Sequence, residues 1–393
     1  MSNVNNMEFN QLATVLQSIV GQATGVEPLV ATNTAEFVSQ AQTALKTGYD
    51  PVMNAISQVL GRTIFSVRPY SRKFKSLEFT EEQFGAHVRK LTAIDKPFEE
   101  DDRLKLVDGE SVDQQRINKP EVLQTNFYGQ NVYQKSLTIF RDQLDVAFSS
   151  ADEFGRFVSM IMQNASDQIE QAHEETSRAT VTNFIGAKNA SDSDNVIHLV
   201  DVYNAQTGLS MTTQTIKQPD NFIPFTRWLY GYIKTLSGFM TERSAKYQVQ
   251  IADKNVIRHT PTSDQRIYLY TPEINNMNAS VISNIYHDEM LKLASHESVN
   301  FWQSINEPDK IKVIPSYTAA DGSVATGAEQ DLSNVLGVVF DREAMGMTIV
   351  NRWAANAAFN ARGGYTNMFW HFTDRYFNDL SEKAVVLLLD TAE

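Results

Sequence analysis

From Ser150 to Gly186 the sequence keeps one helical pattern unbroken. Phe154, Phe157, Val158, Ile161, Met162, Ala165, Ile169, Ala172, Thr176 and Ala179 recur at three- and four-residue spacing. Ser150 followed by Glu153 is a capping box that fixes the start, and Gly186 offers a stop. At 1.5 Å per residue this predicts a rod of about 50 Å, where the usual globular helix has about 11 residues. No other feature restricts the fold as much.

Three short helices are predicted before the rod. Phe9 to Val20 is followed by Gly21. Asn33 caps a helix with Glu36 in its first turn and Gly48 as stop, and Asp50 with Pro51 opens a third that Gly61 ends. Between Thr63 and Phe148 the pattern turns extended. "RTIFSVRPYSRKFKSLEF" and "NVYQKSLTIFRDQLDVAF" read as two arms of a long hairpin around the polar "DKPFEEDDRLKLVDGESVDQQRINKPEVLQ". A two-stranded hairpin is marginal alone in water, so one this long leans on another surface, that of its own body or of another subunit.

After the rod the expectation is a strand at Val196 to Val202, a helix from Phe225 to about Gln248, a strand at Arg266 to Tyr270, a helix at about Ser280 to Ser295, and strands at Ile311 to Pro315 and Val335 to Phe340. This alternation predicts a mixed α/β subdomain. The chain closes with "NARGGYTNMFWHFTDRYFNDLSEKAVVLLL". One set of alternate positions carries Thr366, Met368, Trp370, Phe372, Asp374 and Tyr376, and the other Tyr365, Phe369 and His371. A strand greasy on both faces calls for protein on both sides, from its own domain or another chain.

Composition excludes several classes. With 393 residues and 42% apolar content the chain can bury a large core divided between two subdomains. It has no cysteine, hence no disulfide or thiolate site, which suits a cytoplasmic folding compartment. No export signal or membrane-spanning run is expected. Asp and Glu outnumber Lys and Arg by 47 to 34, a net charge of −13, the wrong balance for tight nucleic-acid binding.

Motifs for chemistry are missing. There is no GxxxxGK[ST] or GxGxxG phosphate cradle. His287 and His296 are too far round a helix to share a metal, "HEETS" and "HESVN" lack a zincin's second histidine, and "SDSDN" lacks the glycine and glutamate of a calcium loop. No catalytic, cofactor or metal residue is assigned. The charges are more patterned: Arg68, Arg72, Lys73 and Lys75 crowd the hairpin stem, while Glu99, Glu100, Asp101 and Asp102 crowd its far end. Both can be solvated faces. The sharper expectation is that the basic stem of one subunit meets the acidic tip of its neighbour, setting register more than affinity.

This order of parts resembles the major capsid proteins of tailed bacteriophages, with the Hong Kong 97-like or Johnson fold. The likeness is most specific at about 46–75, 120–150 and 335–390, through "TGYDPVMNAISQVLGRTIFSVRPYSRKFK" and "LGVVFDREAMGMTIVNR" with the closing stretch. Those segments look most like capsid proteins of small short-tailed phages of Gram-positive bacteria. The resemblance implies an α+β fold with an N-terminal arm (1–62), an E-loop hairpin (63–148), a spine helix and peripheral domain (149–202), an axial domain (203–334), and return strands of the peripheral domain (335–393). It implies a non-enzymatic protein with no cofactor that assembles with itself as hexamers and pentamers, works with scaffolding and portal proteins, and encloses double-stranded DNA. It would be assembled in the host cytoplasm and found in the virion. Some members crosslink a lysine to an asparagine; no residue here matches, so no covalent linkage is expected. An encapsulin-like compartment of the same fold, and from another class a cytoplasmic carboxylate-dependent hydrolase, are the alternatives.

Overall fold

A computed structural model describes residues 9–48, 50–56, 72–79, 88–94, 98–112, 115, 117, 119, 121–191, 195–250, 256–282, 296–318 and 323–392. The amino-terminal helices are α1 (Phe9–Thr24), α2 (Thr34–Lys46) and α3, described over 50–56. α1 runs through Gly21, the expected stop, and ends where Gly25 takes a φ of +74° and donates to the Gly21 carbonyl. A lone glycine costs a helix only about 1 kcal/mol, which neighbouring contacts readily offset. α2 starts as expected, with the Asn33 side chain accepting from the Glu36 amide at 2.9 Å. Gly61 lies outside the described residues.

In the extended region β1 (Val88–Ala93) pairs antiparallel with β2 (Val122–Phe127), placing Val88 opposite Phe127. The segment 131–148, expected as the second arm, is not one: β3 (Gly129–Phe140) joins a different sheet, where it finds a longer partner, and α4 (Arg141–Ala147) follows. The rod is α5 (Ala151–Ser191), 41 residues and therefore about 60 Å long. Ser150 caps it, its hydroxyl accepting from the Glu153 amide at 3.2 Å. Gly186 does not stop it. That glycine is a contact point instead, since a Cβ there would lie 2.3 Å from Val313 Cγ1.

Beyond the rod come β4 (Val196–His198), α6 (Leu199–Thr207), α7 (Thr213–Ile216), α8 (Pro219–Thr241), β5 (Gln265–Tyr270), α9 (Thr271–Ile282), β6 (His296–Val299), β7 (Ile311–Val313), β8 (Ser316–Thr318), β9 (Val324–Thr326), β10 (Gln330–Leu332), β11 (Val335–Asp341), β12 (Met345–Asn356), β13 (Tyr365–Asn378) and β14 (Ala384–Leu388). The strand expected over Val196 to Val202 is cut to three residues, because its parallel partner β14 offers only Val386 to Leu388 before it ends. α8 starts at Pro219, where a proline in the first turn is pre-set for a helix, and stops at Thr241. α9 begins directly after β5, with Pro272 and Glu273 in its first turn, before the expected Ser280; most of the expected helix, 283–295, lies outside the described residues.

Two sheets hang on the rod. In one, β13 lies between β12 and β3, all antiparallel. The other runs β4-β14-β11-β5-β6 and is covered on both faces. β11 and β14 are accordingly buried at every position, reading as unbroken apolar runs. The first half of α5 shares a core with α1, α2, residues 52–56 and the inner face of β13, through Phe37, Phe148, Phe154, Met368 and Trp370. The second half packs Val181, Phe184 and Ile185 onto the five-stranded sheet. α6, α8 and α9 cover that sheet's opposite face, with Leu229, Ile233 and Leu236 inside.

Candidate assembly surface

Between its two apolar halves α5 carries a buried polar strip: Glu170, His173, Thr176, Ser177 and Thr180. Each member is answered. His173 Nδ1 lies 2.8 Å from Asp374 Oδ2, with both side chains at 1% exposure or less. Thr176 meets the Tyr133 hydroxyl, and Asn378 donates to the Thr180 carbonyl at 3.2 Å. Ser177, His173 and Asp374 have the composition of a hydrolase triad but not its geometry. The serine hydroxyl donates to the His173 main-chain oxygen at 2.9 Å, and all three are sealed from solvent. Buried polar groups so matched fix the register of a rod on a sheet.

A cavity of about 480 Å³ is lined by Phe79, Arg258, Asp341, Arg342, Glu343 and Glu382, among others. Two of its acids are committed: Asp341 Oδ1 accepts from the Glu343 amide at 2.8 Å, and Glu382 is paired with Lys90 and with Arg258 at 2.6 Å. Burial pushes the Asp341 carboxyl above its ordinary range. Among the described residues no group of three or more His, Asp or Glu is placed to hold a metal, and no helix is long and apolar enough to cross a membrane.

The surfaces are more informative than the interior. The inner face of β13 buries Thr366, Met368, Trp370, Phe372 and Asp374 against the rod and arm. The outer face carries Tyr365, Phe369 and His371, only partly covered. Trp353 stacks on His371 at 3.9 Å yet is 50% exposed, and Phe140, beside Tyr365, is 47% exposed. Val132 on β3 is 65% exposed. Protein thus stands along the whole inner side of the aromatic strand, while on the outer side Phe79 and Phe127 cover Phe377 and leave Tyr365, Phe369 and His371 partly open. The hairpin tip is similarly bare: Phe98, Leu104, Leu106 and Val107 are all exposed.

The basic stem does not stay together. Arg72 is only 4% exposed; its guanidinium is held by Glu78 and lies 3.8 Å from Glu170. Its charge is spent inside the chain, which corrects its placement on a free face. Lys73 and Lys75 are exposed, and Arg68 lies outside the described residues. Glu99, Glu100, Asp101 and Asp102 are all exposed, with Arg103 closing on Asp101 at 2.6 Å and Lys105 near Glu100 at 3.6 Å.

Sequence reasoning missed a different cluster. Lys90 Nζ, on β1, lies 2.9 Å from Asp379, 3.3 Å from Glu343 and in contact with Glu382. Burial alone would lower the Lys90 pKa, but Asp379 and Glu382 together outweigh it and raise it. Burial likewise opposes the Asp379 charge, yet Lys90 and the Ser381 hydroxyl hold that carboxyl below its usual range. For Glu382 burial wins, and its carboxyl stays raised. Partners so distant in sequence leave no local signal.

A sequence profile described as Phi29-like phage major capsid protein matches residues 13–388. The chain belongs to that family. This capsid protein therefore has the Hong Kong 97-like fold and is a structural component of a phage head shell, associating with its own copies. Its fold is similar to a chain in the capsid structure of Staphylococcus phage Andhra, at 13% identity and a TM-score of 0.54, covering 84% of this chain and 86% of that one. It is also similar to a chain in the structure of head fiber and inner core protein gp22 of native bacteriophage P68, at 12% identity and a TM-score of 0.51, covering 81% and 85%. No curated protein matches the sequence.

Proposed function

We propose that this capsid protein closes an icosahedral head around double-stranded DNA as hexamers and pentamers, catalysing no reaction, and that the hairpin tip of one copy covers the outer sheet face of the next. The observation that carries the reading is the pairing of two bare apolar surfaces in one chain. The tip exposes Phe98, Leu104, Leu106 and Val107, and the sheet exposes Trp353, Phe140 and Val132. Burying such surface returns roughly 25 cal/mol per Å², and many modest contacts repeated by symmetry hold a closed shell that one pair would not.

On this reading residues 1–62 are the arm, 63–148 the E-loop, 149–202 the spine helix and peripheral domain, 203–334 the axial domain and 335–393 the return strands. Lys73 and Lys75 meet the neighbouring copy's Glu99, Glu100, Asp101 and Asp102, while Arg72 supports the stem from within. Scaffolding and portal proteins guide assembly in the host cytoplasm. The resemblance of 46–75, 120–150 and 335–390 to capsid proteins of small short-tailed phages supports such a phage, and the likeness to a Staphylococcus phage capsid supports a Gram-positive host.

Negative-stain microscopy and size-exclusion chromatography of the expressed chain, with and without a scaffolding partner, test this. Closed shells or capsomers are expected, and shells from infected cells should contain DNA. A compact monomer at high concentration under both conditions sinks the reading, and shells filled with protein cargo would point to an encapsulin-like compartment.

A further inference from the structure

The described contacts that fasten the hairpin to the body fall at two places. At its root, Phe127 packs on Phe377 with ring centroids 5.3 Å apart, and Gly129 passes so close to β13 that a Cβ would lie 2.5 Å from the Tyr376 carbonyl oxygen. Further out, Val88, Lys90 and Thr92 turn toward the body while Arg89, Leu91 and Ala93 face solvent. There the contact is ionic. Lys90 enters the group formed by Asp379, Glu382 and Glu343, and Arg258 donates to Thr92 Oγ1 and Ser381 Oγ, both at 3.2 Å.

The wall that receives Lys90 is rigid. The turn from Asp379 to Lys383 joins the two sheets, and fully buried Lys188 of the rod donates to the main-chain oxygens of Leu380 at 3.1 Å, Glu382 at 3.3 Å and Tyr247 at 3.3 Å. Lys383 ties the same turn to the Glu242 carbonyl at 2.6 Å. Asp379 accepts from both the amide and the hydroxyl of Ser381. The turn that carries Asp379 and Glu382 is thus held by contacts that do not involve Lys90.

We propose that Lys90 is the positioning residue of the hairpin: an ionic latch that fixes the angle at which β1 and β2 leave the body, and so the place where the tip meets a neighbouring copy. This rests on the assembly reading above. Lys90 pairs with Thr125, two residues out from the Val88–Phe127 root, which sets the latch about 7 Å from the pivot. Phe98 at the tip is up to about 35 Å from it along an extended chain. Slack at the latch is therefore magnified up to about fivefold at the tip. An apolar contact tolerates sliding; a lysine between fixed carboxylates does not.

The chain has no cysteine, so a spin-label pair at Leu91→Cys on β1 and Lys234→Cys on α8, both exposed sites, reports the hairpin angle in the full-length protein. A narrow distance distribution is expected for the parent and for Arg89→Gln, on the solvent face of the same strand. Lys90→Met should broaden it, and Lys90→Arg should narrow it again. Closed shells should fall about tenfold or more in Lys90→Met, the cost of one charged contact. If Lys90→Met does not fold, Asp379→Asn opens the latch from the body side with the same expectation. An unchanged distribution in the Met variant, no rescue by Arg, or a broad distribution with normal shells each overturns the proposal. A parent that forms no shells refutes the assembly reading instead, and the distances still decide whether the latch exists.

Discussion

Replacing Gly186 by alanine sets two effects of opposite sign against each other. In the middle of a helix the exchange should stabilise by about 1 kcal/mol through backbone entropy. The new methyl, however, would stand 2.3 Å from Val313 Cγ1 and 3.7 Å from Pro315 Cβ. Carbon contacts settle at about 3.5–4.0 Å, so roughly 1.2 Å or more has to be absorbed. Val313 cannot yield cheaply, because it is β-branched and sits in β7, paired to Gln330 of β10. Overpacking of this kind costs about 1–3 kcal/mol, and with a stiff neighbour the upper half applies. The net expectation is a loss of about 1–2 kcal/mol. Denaturant unfolding of isolated subunits measures it. Val313→Ala in the same chain should relieve the clash, giving a coupling of about 1 kcal/mol or more between the two sites. Equal or greater stability in the single variant, or strict additivity in the double, would refute the close approach of rod and β7.

His173→Leu strands the buried Asp374 carboxylate and should cost about 3–5 kcal/mol in denaturant unfolding, most of it recovered when Asp374 is also made leucine; a double variant as weak as the sum of singles contradicts the pairing. Burial pushes the Tyr230 phenol up to about 12 and the Tyr268 phenol further. The folded state then keeps protons that the unfolded chain releases near pH 10, so this stability is present below about pH 10 and is lost as pH rises through the folded values. Phenolate absorbance should therefore lag and appear together with loss of circular dichroism; full ionisation in an intact fold would contradict the burial. Charge reversal at Lys73 and Lys75 should leave the subunit folded, since both are exposed, but impair assembly at low salt and less at high salt; normal particle yields at both ionic strengths remove these lysines from the subunit contact.

The sequence by itself determined the elements whose signal is local and periodic. Ser150, Glu153 and the apolar repeat specify the rod, Asn33 with Glu36 specifies α2, and the apolar run from Val335 to Phe340 specifies a strand. These depend on neighbours within one turn or one strand, and so they can be read without the fold. Element boundaries such as Gly21, Gly186 and Val196 to Val202 were read less well, because packing and partner-strand length override a weak local preference there. Only the tertiary structure decided that the outer face of the aromatic strand is covered at Phe377 and left partly open from Tyr365 to His371, that Arg72 is spent on Glu78 and Glu170, and that Lys90 meets Asp379 across 289 positions of sequence. A charge carries no periodicity, and its partner is set by which surfaces come together once the chain has closed.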